Sequence, residues 1–299
     1  MQYNKLGQSE INVSWVGIGC MSMSKDASKT DYQRLIHQAI EHGVNYFDTA
    51  DLYDFGDNER LLGEAIKGRR DQLFIATKVG NQWKKDKSGW DWNVSADYIN
   101  KAVDNSLSRL QTDYIDLYQI HGGTKEDNFD EVVKALENLK SSSKIKEYGI
   151  SSIRPNVFLN FAEHSSVVSN LMQFSMLDTR PIGYLSELKK HIIAVLGSGG
   201  FAQRLLLDKE AKGFLSHSSE KVKEIADMVA GIALQHAVEK ETVALSFLLH
   251  LHQITSAVVG VRTEKHLSQL IRATEQLENF DIRNLEISIP HIVYTNHLK

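Results

Sequence analysis

A single cysteine, Cys20, is all that this chain of 299 residues has for thiol chemistry, so an internal disulfide is excluded and a reducing cytosol is the expected setting. No stretch approaches the roughly 20 consecutive apolar residues of a membrane-spanning helix. The N-terminus has no basic segment leading into an apolar core, so neither a membrane partner nor a signal peptide is expected. Charge of one sign is not concentrated either. The 34 basic and 38 acidic side chains leave a formal net charge of −4 without a basic patch, which argues against a nucleic-acid partner. The 12 histidines lack an accompanying cluster of Cys or carboxylates. His250 and His252 are two apart on a helical stretch and face different sides, so they are poor joint ligands and no metal is expected. These absences leave a soluble, cytoplasmic protein whose 42% of apolar residues suffices for a large core.

Short apolar runs alternate with helical periodicity along almost the whole chain. Tyr3 to Val13, turning at Leu6-Gly7-Gln8-Ser9, reads as a β-hairpin. Buried strands are expected at Val16–Met21, from Tyr46 to Asp48, over Phe74–Val79, Tyr114–Ile120, Glu147–Ser152, Asn170–Ser175, Ile192–Ser198 and Ser256–Val261. Helices are expected at Asp31–His42, Asn58–Lys67, Ala96–Leu110, Phe129–Lys140, Val157–His164, Tyr184–His191, as a pair within Glu220–Leu251, and at Lys265–Leu277. Gly199–Ser219 has no clear periodicity and is expected to be a mobile loop, and the tail from Pro290 carries no pattern. Eight alternations of strand and helix imply parallel strands with helical crossovers, closed as a (β/α)8 barrel in a single domain, 1–299, behind an N-terminal hairpin. A six-stranded doubly wound sheet would leave two units over, and Gly17-Ile18-Gly19-Cys20-Met21-Ser22 lacks the third glycine of a dinucleotide fingerprint.

Barrel enzymes place their sites at the C-terminal ends of the strands. Asp48, Lys78 and His121 all end successive strands, and Tyr53 follows the first of them closely, so four polar side chains converge on one mouth. A phenol has an ordinary pKa of about 10 and gives up its proton reluctantly. A neighbouring ammonium favours the phenolate, and a carboxylate can hold that ammonium in place. Singly, each residue has a plain structural explanation, as a helix cap or a solvated strand end. The four together in this order point to proton transfer.

Tyr46-Phe47-Asp48-Thr49-Ala50 with Tyr53, Ala76-Thr77-Lys78, Asp116-Leu117-Tyr118-Gln119-Ile120-His121, Tyr148-Gly149-Ile150-Ser151-Ser152 and Gln173 together resemble the aldo-keto reductase superfamily, over nearly the whole chain. The resemblance implies a (β/α)8 barrel without a Rossmann domain and NADPH-dependent reduction of a small carbonyl substrate. By the same resemblance Tyr53 is the general acid, Lys78 lowers its pKa, Asp48 pairs with Lys78, and His121 orients the carbonyl or assists proton transfer. Ser151, Ser152 and Gln173 would hold the nicotinamide carboxamide, with Ser152 standing where many relatives have Asn. Ser198 would lie against the nicotinamide, where relatives place an aromatic residue or Arg.

Phe201-Ala202-Gln203-Arg204-Leu205-Leu206 resembles the family's pyrophosphate loop, with Gln203 and Leu205 as contacts and Arg204 replacing a usual glycine. Arg262 and Lys265, at the start of the last helix, suit an anion by charge and by position. The resemblance aligns Gln269 and Leu270 with a pair that contacts adenine. Met21, Met23, Trp83, Trp90 and Trp92 are candidates for an apolar substrate wall, or equally for loop packing. Cys20, near the end of the first strand, could be exposed there or, as a lone buried cysteine, be inert. A cofactor-binding regulatory or sensor subunit on the same barrel, with little turnover, stays open as an alternative, and oligomeric state is not legible.

Overall fold

The computed structural model describes residues 1–23 and 28–298. Its strands in chain order are β1 (Tyr3–Lys5), β2 (Asn12–Ser14), β3 (Val16–Gly19), β4 (Tyr46–Asp48), β5 (Phe74–Val79), β6 (Asn81–Trp83), β7 (Trp90–Trp92), β8 (Ile115–Ile120), β9 (Ile145–Ile150), β10 (Ser169–Gln173), β11 (Ala194–Ser198) and β12 (Ser256–Gly260). The helices are α1 (Lys29–Glu41), α2 (Asp57–Ala65), α3 (Ala96–Leu110), α4 (Phe129–Ser141), α5 (Pro155–His164), α6 (Ile182–Lys190), α7 (Ser219–Gln235), α8 (Lys240–Ser246) and α9 (Glu264–Gln276). Eight strands close a parallel barrel in the order β3, β4, β5, β8, β9, β10, β11, β12, with β12 pairing back to β3.

Local chemistry starts the helices where the polar residues stand. Side chains of Ser28, Ser95, Asn128, Ser218 and Thr263 each accept a backbone N–H three residues on, and Pro155 opens α5, where its missing N–H is harmless. The apolar face of each helix then covers the outside of the barrel. Inside it, Tyr46, Phe74, Ala76, Leu117, Leu171 and Leu196 belong to a separate inner cluster, which Leu6 and Val13 of the β1–β2 hairpin join. Tyr46 fits because Gly17 lies alongside; a Cβ there would come within 2.6 Å of its ring. The hairpin is tied down by Asn4, which donates to the Thr255 carbonyl at 3.0 Å, and by the Ser14 N–H, which donates to Asn45 Oδ1 at 2.8 Å.

The expected barrel and hairpin are therefore present, with element ends displaced by up to two residues except at α8, which passes after Ser246 into a π-helical turn over Phe247–Leu251. Two stretches differ from expectation, and the position of Cys20 is decided between its two alternatives. Residues 199–219 are not a loose loop, because Phe201, Leu205, Leu206, Leu207 and Phe214 are buried and a short bridge joins Phe214 to His217. Cys20 is fully buried behind the mouth, where burial pushes its thiol up to about 12. A second hairpin, β6–β7, occupies a stretch with no expected element, and it carries the three tryptophans in question. No helix among the described residues is long and apolar enough to cross a membrane.

Candidate active site at the barrel mouth

β4, β5 and β8 are neighbours in the barrel, so their C-terminal ends deliver Asp48, Lys78 and His121 to one place. The Lys78 ammonium is buried and donates to Asp48 Oδ1 and, at 2.7 Å, to the Thr49 carbonyl. Gln119, one residue pair inward on β8, donates to the other Asp48 oxygen at 3.2 Å. Tyr53 sits over this pair, with the Lys78 nitrogen 5.2 Å from its ring centroid and the His121 ring meeting it edge-on at 5.9 Å.

Tyr53 is held by a turn that the backbone adopts reluctantly. Asp54 and Phe55 take φ of 49° and 56°, and Gly56 follows at 87°. Only glycine suits the last position, since a Cβ would lie 2.7 Å from the Arg109 side chain. The turn is clamped on two sides. The Trp83 indole N–H donates to the Leu52 carbonyl at 3.0 Å, and its ring packs on Phe55 at 4.1 Å. Behind it, buried Glu59 accepts from Thr77 at 2.6 Å and from Arg109 Nε at 2.6 Å.

Burial governs the proton affinities here. It pushes the Tyr53 phenol above its ordinary value; the Lys78 ammonium opposes that shift without reversing it, because Asp48 works the other way. Lys78 thus lowers the phenol's proton affinity as expected, but burial leaves the phenol above its ordinary value all the same. Burial also works against the Lys78 ammonium, yet Asp48 and Tyr53 together keep its pKa raised. His121 is pushed down to about 3, by burial first and the Lys78 charge second, so its imidazole is neutral. Its Nδ1 is buried without a hydrogen-bond partner among the described residues. Asp51, two residues before Tyr53, is pushed up to about 8 by burial and then by the nearby Glu59 carboxylate.

All four residues open onto a cavity of about 800 Å³ that runs from Tyr53 past Ser151, Gln173 and Ser198 to Arg204, Arg262 and His266. The family model for the aldo/keto reductase family matches residues 16–288. The chain belongs to that family. It is 40% identical to an uncharacterized oxidoreductase of Bacillus subtilis, YqkF, over 99% of both chains. An aldo-keto reductase from Bacillus halodurans in its holo form superposes with a TM-score of 0.87 at 37% identity, covering 100% of both chains, and its apo form with 0.82 at 34% over the same share.

Of the residues that the aldo/keto reductase resemblance singled out at the cofactor end, Ser151, Gln173, Ser198, Gln203 and Arg262 line the cavity. Ser152, Leu205 and Lys265 do not. Ser152 is buried, with its backbone bonded to the Asn170 side chain at 3.1 and 3.2 Å. Leu205 points into the core, and Lys265 stands exposed one residue before His266, which does line the wall. Leu270 is likewise a core residue of α9 and cannot reach a ligand. Met21 is on the wall, whereas Met23 is buried and none of Trp83, Trp90 and Trp92 lines the cavity.

The tryptophans went astray because their partners lie far off in sequence. The Trp92 indole donates to Asp127 at 2.7 Å, and Trp83 braces the Tyr53 turn. Sequence reasoning missed Asp208, Lys209 and Phe214, which line the wall from a segment without periodicity. The trio of exposed Glu163 and half-buried Glu187 and His191 brings its ligand atoms within 4.8 Å of one another. It lies at the C-terminal ends of α5 and α6, away from the mouth.

Proposed function

We propose that this protein reduces an aldehyde or ketone to the alcohol by hydride transfer from NADPH, with Tyr53 as general acid. The observation that carries this reading is Lys78, an ammonium 1% exposed and set between the Asp48 carboxylate and the Tyr53 ring inside a cavity. A buried ion pair is at best weakly stabilising, so one placed beside a phenol at a strand end is better explained by proton chemistry.

The raised pKa of Tyr53 keeps its hydroxyl protonated and ready to donate to a carbonyl oxygen. As the proton leaves, the Lys78 ammonium faces the forming phenolate and offsets its charge, while Asp48 and Gln119 hold the ammonium in position. Neutral His121 can hydrogen-bond the same oxygen without competing as an acid. A reduced dinucleotide bound beside Tyr53 would supply the hydride. A positioned acid contributes roughly 10²–10⁴-fold in rate.

The cavity fits a dinucleotide in shape and charge. Ser151 and Gln173 offer polar groups for the carboxamide at the end near Tyr53, and Ser198 lies alongside. Ser152 serves by fixing the strand end through Asn170 rather than by contact. Gln203 borders the pyrophosphate path, and Arg262 supplies positive charge on the wall before α9 for a 2′-phosphate, with Lys265 adding charge from outside that wall. The greater likeness to the holo form of the Bacillus halodurans reductase supports a conformation ready for a ligand. The chain from 1 to 299 acts in this reading as one domain.

NADPH oxidation is followed against small aldehydes, ketones and sugars with wild type and Tyr53→Phe. The variant should lose at least about 100-fold in kcat while binding NADPH nearly as before. Retention of more than about a tenth of kcat would remove the acid role. Dinucleotide binding without turnover on any carbonyl would favour a sensor subunit instead.

A further inference from the structure

Ala202, Gln203 and Arg204 hold φ of 46°, 57° and 70° in succession, a left-handed run without a glycine. Side chains are disfavoured there, so a long one at position 204 calls for a reason beyond the backbone. The Arg204 guanidinium lies on the cavity wall and grips Asp208 with two donors, Nε at 2.7 Å and Nη2. Buried Glu241 stands behind it, 3.9 Å from Nη2. Asp208 is 54% exposed and can swing into water, whereas Glu241 cannot. Among the described residues lining this end of the cavity, three cations (Arg204, Lys209 and Arg262) face one carboxylate, Asp208. Arg204 also acts on the start of α9: with Lys265 and Arg262 it adds to the burial that holds His266 below its ordinary pKa.

We propose that Arg204 is a loop-borne contact for the 2′-phosphate of NADPH, and that Asp208 is the partner it leaves when that phosphate arrives. A phosphate presents two oxygens to a guanidinium much as a carboxylate does, so the exchange is one for one on the same donors. Glu241 keeps the guanidinium at the wall while Asp208 departs. The inference rests on the NADPH reading above and adds a residue from a different segment of the chain to it.

The test is calorimetric titration of NADPH, NADH and 2′,5′-ADP into wild type, Arg204→Gln, Arg204→Gly and Asp208→Asn. Arg204→Gln removes the charge while keeping a side chain at the same backbone angle; Arg204→Gly suits that angle and guards against an unfolded variant. Both should weaken NADPH and 2′,5′-ADP about tenfold, the worth of one charge-assisted contact, and change NADH less than about twofold. Asp208→Asn should tighten NADPH and 2′,5′-ADP and leave NADH alone. Unchanged NADPH affinity in both Arg204 variants overturns the proposal, as does an equal loss for both dinucleotides, which would place the contact at the pyrophosphate. Selective weakening of NADPH by Asp208→Asn also overturns it, since Asp208 would then support the contact. Wild type that binds neither dinucleotide would instead bring down the cofactor reading itself.

Discussion

Replacing Lys78 with methionine should damage the fold as well as the reaction. The methionine side chain fills most of the space of the lysine stem, so little cavity is left. What remains is the Asp48 carboxylate, 4% exposed, with the Gln119 amide at 3.2 Å and no ammonium. Breaking a buried pair in this way costs about 3–5 kcal/mol, which corresponds to a fall in Tm of roughly 10 °C for a chain of this size. Adding Asp48→Asn removes the stranded charge, so the double variant should recover about 2 kcal/mol or more of that loss while remaining inactive. The pH dependence has a definite sign. Asp48 already titrates above its ordinary value through burial, and loss of Lys78 raises it further. A raised carboxyl contributes stability fully below its unfolded pKa of about 4 and loses it as pH rises through the folded value. The deficit of Lys78→Met relative to wild type should therefore shrink as pH falls towards about 4. Urea unfolding of wild type, both single variants and the double variant measures this cycle. A Lys78→Met loss below about 1 kcal/mol at neutral pH, or a double variant no more stable than the single one, contradicts a buried ion pair.

His121 titrates near 3, so the kcat/KM profile should carry no histidine inflection between about pH 5 and 8; an inflection there that disappears in His121→Gln would show a charged imidazole at work. Asp51, raised to about 8, makes folding less favourable as pH climbs from about 4 to that value, by at most about 1.4 kcal/mol per unit. Asp51→Asn should flatten that slope in urea titrations at successive pH values, and an unaltered slope would mean that the carboxyl is ionised in the fold. Arg109→Ala strands the buried Glu59 carboxylate and also loosens the turn carrying Tyr53, so it should cost about 3–5 kcal/mol and lower kcat. Glu59→Gln should cost less, because the partly exposed Arg109 can find water; the reverse order in urea midpoints would exclude this bracing.

The barrel was legible because its signals are local and repeated. Phe74–Val79 and Ile115–Ile120 are buried along their whole length and read as short, mainly apolar runs, and α3 starts where Ser95 can cap it. The hairpin of β6 and β7 gave no such signal. Its strands are three residues long, and their faces are settled by contacts made elsewhere, with Leu52, Phe55 and Asp127. Residues 199–219 misled for the opposite reason. Its apolar residues are irregularly spaced because they anchor a path across the barrel end rather than one face of a helix, so periodicity found nothing although Phe201, Leu205 and Phe214 are buried.

The site divides along the same line. Asp48, Lys78 and His121 lie at strand ends, where parallel pairing in register brings them together whatever the loops do, and motif and geometry agree. Which way the Tyr53 proton affinity moves is a different kind of quantity. An ammonium beside a phenol points downward and a burial penalty points upward, and the balance depends on how far Asp48 already neutralises Lys78. No spacing in the sequence encodes that balance; it is set by the depth of the mouth and by the direct contact of Lys78 with Asp48. The same holds at the other end of the cavity, where Lys265 and His266 are neighbours in sequence but only His266 meets the wall, since successive helical residues point about 100° apart. Residue type is enough to propose an anion at the start of α9. Which side chains would meet it depends on a loop 60 residues earlier in the chain, which brings Arg204 onto the same cavity wall as Arg262.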